Sequence, residues 1–253
     1  MNCPEPDIPE PRGQAGPPAA YPFWTYQDLL LILLLLAPCL LTGILLAELA
    51  FWAVPLFAHA KAAKPLAAQF LVAGMWFGCI FLLLKTKYDR PFWRSLAWFK
   101  PPWGFWSSVL AGPLVAFSIA FLGLTIRTPE NILHFENYMH DRVSVVLIGL
   151  FAVTLGPLSE ELAFRGLLFP LLARSFGAPA AILGAAVPFA LLHGPQYSWS
   201  WQHILLVLLA GLAFGWMRHR TGSTMASTFM HGAYNLTFYS TFLLEERFTR
   251  LPW

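Results

Sequence analysis

Charge is what this chain has least of. Asp, Glu, Lys and Arg make up 11% of its 253 residues, where average soluble usage is about 25%. That excludes a typical soluble globular enzyme and a disordered chain. The net charge of +3 is too small for a polyanion-binding face and excludes a nucleic-acid binder. Cysteine is scarce as well. Cys3, Cys39 and Cys79 are far apart, so they form neither a disulfide framework nor a cysteine-based metal cluster. What is present is apolar: hydrophobic residues are 57% and aromatic residues 16%, and the mean hydropathy is +0.59. This composition describes an integral, multi-pass membrane protein.

A bilayer core of about 30 Å takes about 20 apolar residues as helix. Stretches free of acidic and basic residues cover 29–47, 65–84, 101–126, 143–159 and 221–244. The stretch 175–217 is broken by His193-Gly194-Pro195-Gln196 and reads as two helices. Residues 50–60 are apolar but short and carry Pro55; they predict an interfacial helix or an eighth element. The expected fold is an all-α membrane protein, a polytopic bundle of seven to eight transmembrane helices. The runs are continuous and rich in Leu and Ala, which excludes the alternation of a membrane β-barrel.

Residues 1–22 hold seven of the 21 prolines and read as a disordered cytoplasmic tail. No basic region precedes the first apolar run, so the first helix is expected to be retained as an anchor. The rest divides into N-terminal transmembrane helices (23–142), a second helical core (143–244) and a short tail (245–253). Loop 85–100 carries Lys85, Lys87, Arg90, Arg94 and Lys100. With Arg12, Arg165, Arg174, Arg218 and Arg220, its side of the membrane holds ten of the 16 basic residues. The positive-inside rule then places the N-terminus and this loop in the cytoplasm.

Ionisable groups at membrane depth are costly and mark function. Three clusters stand out, all in the second half of the chain. The first is Ser159-Glu160-Glu161-Leu162-Ala163-Phe164-Arg165. On a helix Glu161 and Arg165 share a face at i, i+4 and can pair. Glu160 points about 100° away and has no local partner. The plainer alternative is a helix that ends at Ser159 with the two glutamates as an interfacial cap. The second cluster is Phe189 and His193, also at i, i+4; the alternative is a structural, hydrogen-bonded histidine. The third is His231 and Asn235, within the last run; the alternative is an interhelical polar pair worth about 1 kcal/mol.

Depth couples the three. The turn near Arg174–Gly177 lies about 16 residues from Glu160 and, on the other side, about 16 from His193, or about 24 Å along each helix. His231 and Asn235 lie at a similar distance beyond the next hairpin, near Arg218–Gly222. Gly211 and Gly215 on the intervening helix permit close packing. Two carboxylates, an Arg, two His and an Asn include no Ser or Cys nucleophile at motif spacing. They can activate water, protonate a leaving amine and stabilise an oxyanion, which is the chemistry of amide hydrolysis. His, His and Glu are also zinc ligands, but no H-E-x-x-H helix is present.

E-E-x-x-x-R (Glu160, Glu161, Arg165), F-x-x-x-H (Phe189, His193) and H-x-x-x-N (His231, Asn235), in this order, resemble the CPBP family. These are the CAAX-protease and bacteriocin-processing intramembrane glutamic endopeptidases, related to the Ras-converting enzyme. The resemblance spans residues from about 143 to 244 and implies an intramembrane endopeptidase on a bundle usually of eight helices. Glu160 would be the catalytic carboxylate, with His193 its partner on water. Glu161 and Arg165 would organise the site, His231 and Asn235 would stabilise the oxyanion, and Phe189 would be a packing residue. No metal and no cofactor is implied. The implied partners are the bilayer and a peptide or protein substrate, with or without a membrane anchor or lipid, in a bacterial cell membrane. Rival classes are a non-proteolytic scaffold or bacteriocin-immunity protein of the same family, a zinc-dependent membrane protease, and a proton-coupled transporter. The last would require a repeat with polar sites in both halves, and the polar residues here lie in one half.

Overall fold

A computed structural model describes residues 21–54, 60–129, 138 and 141–244. The described elements are all helical. The long ones are α1 (Tyr26–Ala53), α2 (Ala63–Tyr88), α4 (Phe105–Thr125), α5 (Arg142–Phe176), α6 (Ala178–Leu192), α7 (Trp201–Thr221) and α8 (Thr224–Leu244); α3 (Phe92–Ser95) is a single turn. Five of them (α1, α2, α4, α5 and α7) are long and apolar enough to cross a membrane. Helix α6 has only 15 residues. Helix α8 has the length, but His231, Asn235 and its hydroxyl residues make it more polar. Residues 1–20 of the expected tail, residues 55–59 of the 50–60 segment and the tail 245–253 lie outside the described residues.

Polar caps at both ends fix how the helices stack. At one end the Thr25 hydroxyl accepts from the Asp28 amide while the Asp28 carboxylate accepts from the Thr25 amide, a reciprocal cap. That carboxylate also accepts from Lys87 Nζ and the Tyr88 hydroxyl, each at 2.5 Å, so the start of α1 is tied to the end of α2. Tyr21 and Pro22, the last residues of the expected tail, are engaged here as well. The Tyr21 hydroxyl donates to the Ser95 carbonyl, and Arg174 donates to the Pro22 carbonyl. Thr224 binds the segment after α3 through two carbonyls, Leu96 and Ala97. At the other end Asp141 caps α5, accepting from the Ser144 amide and hydroxyl, both at 2.7 Å, and from the Lys61 amide.

Close approach rests on small residues. A Cβ on Gly43 of α1 would lie 2.5 Å from Val72 of α2, and one on Gly112 of α4 would lie 2.5 Å from the Met230 carbonyl of α8. At such contacts only glycine lets backbones pack. Gly177, at φ +80°, turns the chain from α5 into α6 in a conformation that favours glycine. Helix α5 lies between two apolar cores. Leu162, Leu167 and Leu171 pack with Trp24, Ile32, Ile80 and Leu84 on one side. On the other side, Phe189, Phe214, Met217 and Met230 pack around Phe164. Leucines such as Leu34, Leu41 and Leu124 face outward, as lipid-facing residues of a bundle do.

Candidate active site

Helix α5 does not end at Ser159. It runs on to Phe176, and its hydrogen-bond register changes twice on the way. Phe151–Leu155 and Leu162–Leu168 are π-helical, and Gly156–Glu161 between them is α-helical. The cause is legible in the sequence. Pro157 and Pro170 carry no amide hydrogen, and each ring crowds the carbonyl four residues back, at Val153 and Gly166. A wider π turn just ahead of each proline relieves the crowding, and such turns recur at functional sites. They also expose carbonyls to side chains: Asn235 Nδ2 donates to the Ala152 carbonyl at 2.7 Å, and Arg218 Nε to the Arg165 carbonyl at 3.2 Å. A Cβ on Gly232 would lie 2.6 Å from the Val153 carbonyl, so α8 reaches α5 at the first π segment because residue 232 is glycine.

The two glutamates close the short α segment, and their surroundings differ. Glu161 Oε1 accepts from Arg165 Nη1 at 2.9 Å, and both side chains are 0% exposed. Arg165 Nη2 donates to the Gly211 carbonyl at 2.7 Å. Its guanidinium lies 4.7 Å from the Phe189 ring centroid and within 6 Å of Phe164 and Phe214, which supports a desolvated cation. Glu160 keeps 34% of its side chain exposed. The geometry expected from i, i+4 spacing is therefore present: one carboxylate is compensated within the helix and the other is not.

His231 stands between the two carboxylates. Its Nδ1 lies 3.1 Å from Glu161 Oε1, and its Nε2 lies 3.7 Å from Glu160 Oε2. A carboxylate only accepts, so Nδ1–H donates to Glu161 and Nε2 is the nitrogen turned to Glu160. Phe214 stacks flat on the imidazole, centroids 4.3 Å apart. His193, placed at the C-terminal end of α6, engages its own helix: Nδ1 lies 2.8 Å from the Phe189 carbonyl. A carbonyl also only accepts, so Nδ1 carries the proton and Nε2 keeps its lone pair in the neutral ring. No direct hydrogen bond joins His193 to Glu160 among the described residues. Phe189 touches Phe164, Phe214, His193 and His231 with its ring.

The structure thus brings Glu160, Glu161, Arg165, Phe189 and His231 into direct contact. It sets His193 beside them through Phe189 and anchors Asn235 on α5. Sequence reasoning missed Phe214, the Gly211 carbonyl and Arg218. The pair Gly211 and Gly215 was the available signal: a Cβ on Gly211 would lie 3.1 Å from Phe189, so that close approach is what brings Phe214 and the Gly211 carbonyl to Arg165. Among the described residues no three His, Cys, Asp or Glu side chains are grouped as a metal-ligand set.

These features define an all-helical membrane protein that gathers two adjacent glutamates and two histidines from three helices, with Glu161 and His231 buried. Residues 142–237, from the first residue of α5 into α8, match the family model for type II CAAX prenyl endopeptidases, Rce1-like. Over those residues the chain carries a domain of the CAAX-protease family, which is a family of peptidases. No curated protein and no solved structure matches the chain.

Proposed function

We propose that the protein is an intramembrane endopeptidase that cleaves a peptide bond of a membrane-associated substrate with water held between Glu160 and His193. The observation that carries this reading is the split between adjacent glutamates. Glu161 is locked to Arg165 and His231 without exposure, whereas Glu160 is one-third exposed and, among the described residues, paired with no Arg or Lys. A carboxylate spared from structural duty is a group that can remove a proton from water, and the His193 Nε2, which can accept, is its proposed partner. Glu160 takes the proton as the water oxygen attacks the carbonyl carbon, then passes it to the departing amine. Asn235 has a second amide hydrogen beyond the one given to Ala152, and this donates to the oxyanion. Both His231 nitrogens face carboxylates in the resting site, so His231 reaches the oxyanion only with both nitrogens protonated and as Glu160 turns toward the water. No metal takes part in this sequence of steps.

A groove of about 350 Å³ lies between α2, α3 and α5, and Ser159, which precedes Glu160 in the chain, is among its lining residues. Phe70, Phe77, Phe81, Phe92, Trp93 and Leu158 line it. An apolar chain attached near the scissile bond fits such a lining, which favours a lipidated or otherwise apolar substrate segment. The test is cleavage of an internally quenched, farnesylated peptide ending in a CAAX sequence by purified protein in lipid nanodiscs. Cleavage by the wild type that disappears in Glu160→Gln supports the reading. Full cleavage by Glu160→Gln overturns it.

A further inference from the structure

Each of the two π segments of α5 leaves one carbonyl without its backbone donor. At the end of the first, the Gly156 amide donates back to Phe151; at the end of the second, the Phe169 amide donates back to Phe164. Each amide thereby passes over the carbonyl four residues before it, at Ala152 and at Arg165. The residue that would close these carbonyls in the π register is Pro157 in one case and Pro170 in the other, and proline has no amide hydrogen. A buried carbonyl left without a donor is costly. Both are met instead from a facing helix: Asn235 Nδ2 of α8 donates at Ala152, and Arg218 Nε of α7 donates at Arg165.

Arg218 is held for this contact. It is 2% exposed, yet among the described residues it pairs with no carboxylate. Its guanidinium carbon lies 5.5 Å from the centroid of the Phe169 ring. Its Nη2 donates to the Tyr21 hydroxyl at 3.5 Å, and that hydroxyl passes its own hydrogen to the Ser95 carbonyl. The guanidinium is thus fixed by a ring and a phenol, with Nε turned to α5. The carbonyl it holds belongs to Arg165, whose side chain neutralises Glu161. Arg165 lies inside the π segment Leu162–Leu168, which follows Glu160 and Glu161 directly. A return of this segment to the α register would take out the extra residue of the π turn, about 100° of rotation between the glutamates and the rest of α5.

Resting on the peptidase reading above, we infer that Arg218 is a positioning residue for the reaction: its Nε–H replaces the amide hydrogen that Pro170 lacks and holds the π turn around Arg165. Through Arg165 it sets Glu161, and through Glu161 it sets His231, which bonds the same carboxylate oxygen. Arg218 itself touches neither substrate nor water. What the site uses is the single N–H at Nε, and the positive charge is incidental to it.

Two variants of similar length separate the N–H from the charge. Arg218→Gln keeps an N–H donor at the chain position of Nε and removes the charge; Arg218→Met removes both. They are compared on the farnesylated CAAX reporter in nanodiscs, at a temperature where both are folded. For Arg218→Met, kcat is expected to fall by roughly 10²-fold, the scale of a displacement of about 1 Å at a catalytic group, with KM unchanged. Arg218→Gln should stay within a few-fold of the wild type. Equal losses in the two variants would mean that the charge matters and the Nε bond does not, which overturns the proposal. An unchanged kcat in Arg218→Met, or a rise in KM alone, overturns it as well. A second measurement needs no turnover. Pro170→Ala supplies an amide hydrogen for the same carbonyl, so the drop in Tm caused by Arg218→Met should be smaller in that background than in the wild type. An equal drop in both backgrounds means that Arg218 does not stand in for the missing amide and overturns the proposal. If the wild type fails to cleave the reporter, the peptidase reading fails, and the melting cycle still decides whether Arg218 holds the turn that Pro170 leaves open.

Discussion

Arg165→Ala tests the buried half of the site. The substitution removes the only Arg or Lys paired, among the described residues, with a carboxylate that is 0% exposed, and with it the bond to the Gly211 carbonyl and the contacts to three aromatic rings. Breaking one side of a buried ion pair costs about 3–5 kcal/mol, because the other charge is left uncompensated. His231 donates to the same oxygen of Glu161 and offsets part of this, so the lower end, about 3 kcal/mol, is the sounder expectation. In a chain of this size each kcal/mol moves Tm by about 2–4 °C. Arg165→Ala should therefore lower Tm by about 10 °C, and Glu161→Gln should follow it. Glu160→Gln should stay within about 0.5 kcal/mol of the wild type, because the side chain is partly exposed and, among the described residues, paired with no Arg or Lys. Melting in nanodiscs, followed by tryptophan fluorescence, reads all three. Equal melting of Arg165→Ala and the wild type would refute the assignment of Glu161 and Arg165 to a structural pair. A large loss in Glu160→Gln would show that its carboxylate bears load as well.

Gly112→Ala should push α4 off α8, since the new methyl would sit 2.5 Å from the Met230 carbonyl and 2.6 Å from the Tyr234 amide. A loss of about 1–3 kcal/mol by melting is expected. Asp141→Ala removes the α5 cap and should cost about 1–2 kcal/mol. Burial alone would raise the Asp141 carboxyl, but hydrogen bonds from Ser144 and Lys61 outweigh it and hold the group below its usual range. Its contribution is then present above the unfolded carboxyl value and lost as pH falls through the folded one. The melting gap between Asp141→Ala and the wild type should therefore close in acid; a constant gap would count against the cap. Chelators should leave cleavage of the reporter intact, whereas loss of activity restored by zinc would move the site to metal chemistry with His193 and His231 as ligands.

How much of this was legible in the sequence depends on the physics each feature expresses. The pairing of Glu161 with Arg165, and of Phe189 with His193, follows from helix spacing, and both contacts are present. The convergence of three helices followed from their lengths between turns. The continuation of α5 past Ser159 was one of two readings, beside a helix end at Ser159, and the helix does run on to Phe176. Two glutamates and an arginine look like a helix end when counted by charge, and only burial distinguishes a cap from a buried pair. Counting by charge also miscast two arginines. Arg165 and Arg218 were reckoned among the charges of the cytoplasmic face, yet they are 0% and 2% exposed. Removing both leaves eight basic residues against six, so the orientation rests mainly on loop 85–100. The bridge of His231 between the two glutamates was not visible either. It depends on how far α8 can approach α5, and that is set by Gly232 and by the widened turn ahead of Pro157.

Asn235 offers a way to separate holding a helix from stabilising a transition state. Its amide ties α8 to the Ala152 carbonyl, and interhelical hydrogen bonds of this kind in membranes average about 0.6 kcal/mol, reaching about 1.7. If that tie were its whole function, Asn235→Ala would slow the reaction only as far as a small shift of α8 misplaces His231. If its second amide hydrogen meets the oxyanion, the same substitution should lower kcat by roughly 10²–10³-fold, the range for loss of one such donor. The two effects differ in size by enough to be told apart in one preparation. Asn235→Asp sharpens the contrast, because it keeps the volume but sets a carboxylate oxygen against the Ala152 carbonyl, two acceptors face to face. The expected outcome is a small loss of Tm with a large loss of kcat for Asn235→Ala, and a large loss of both for Asn235→Asp. If Asn235→Ala melts like the wild type and turns over within a few-fold of it, Asn235 is neither the tie nor the donor described here.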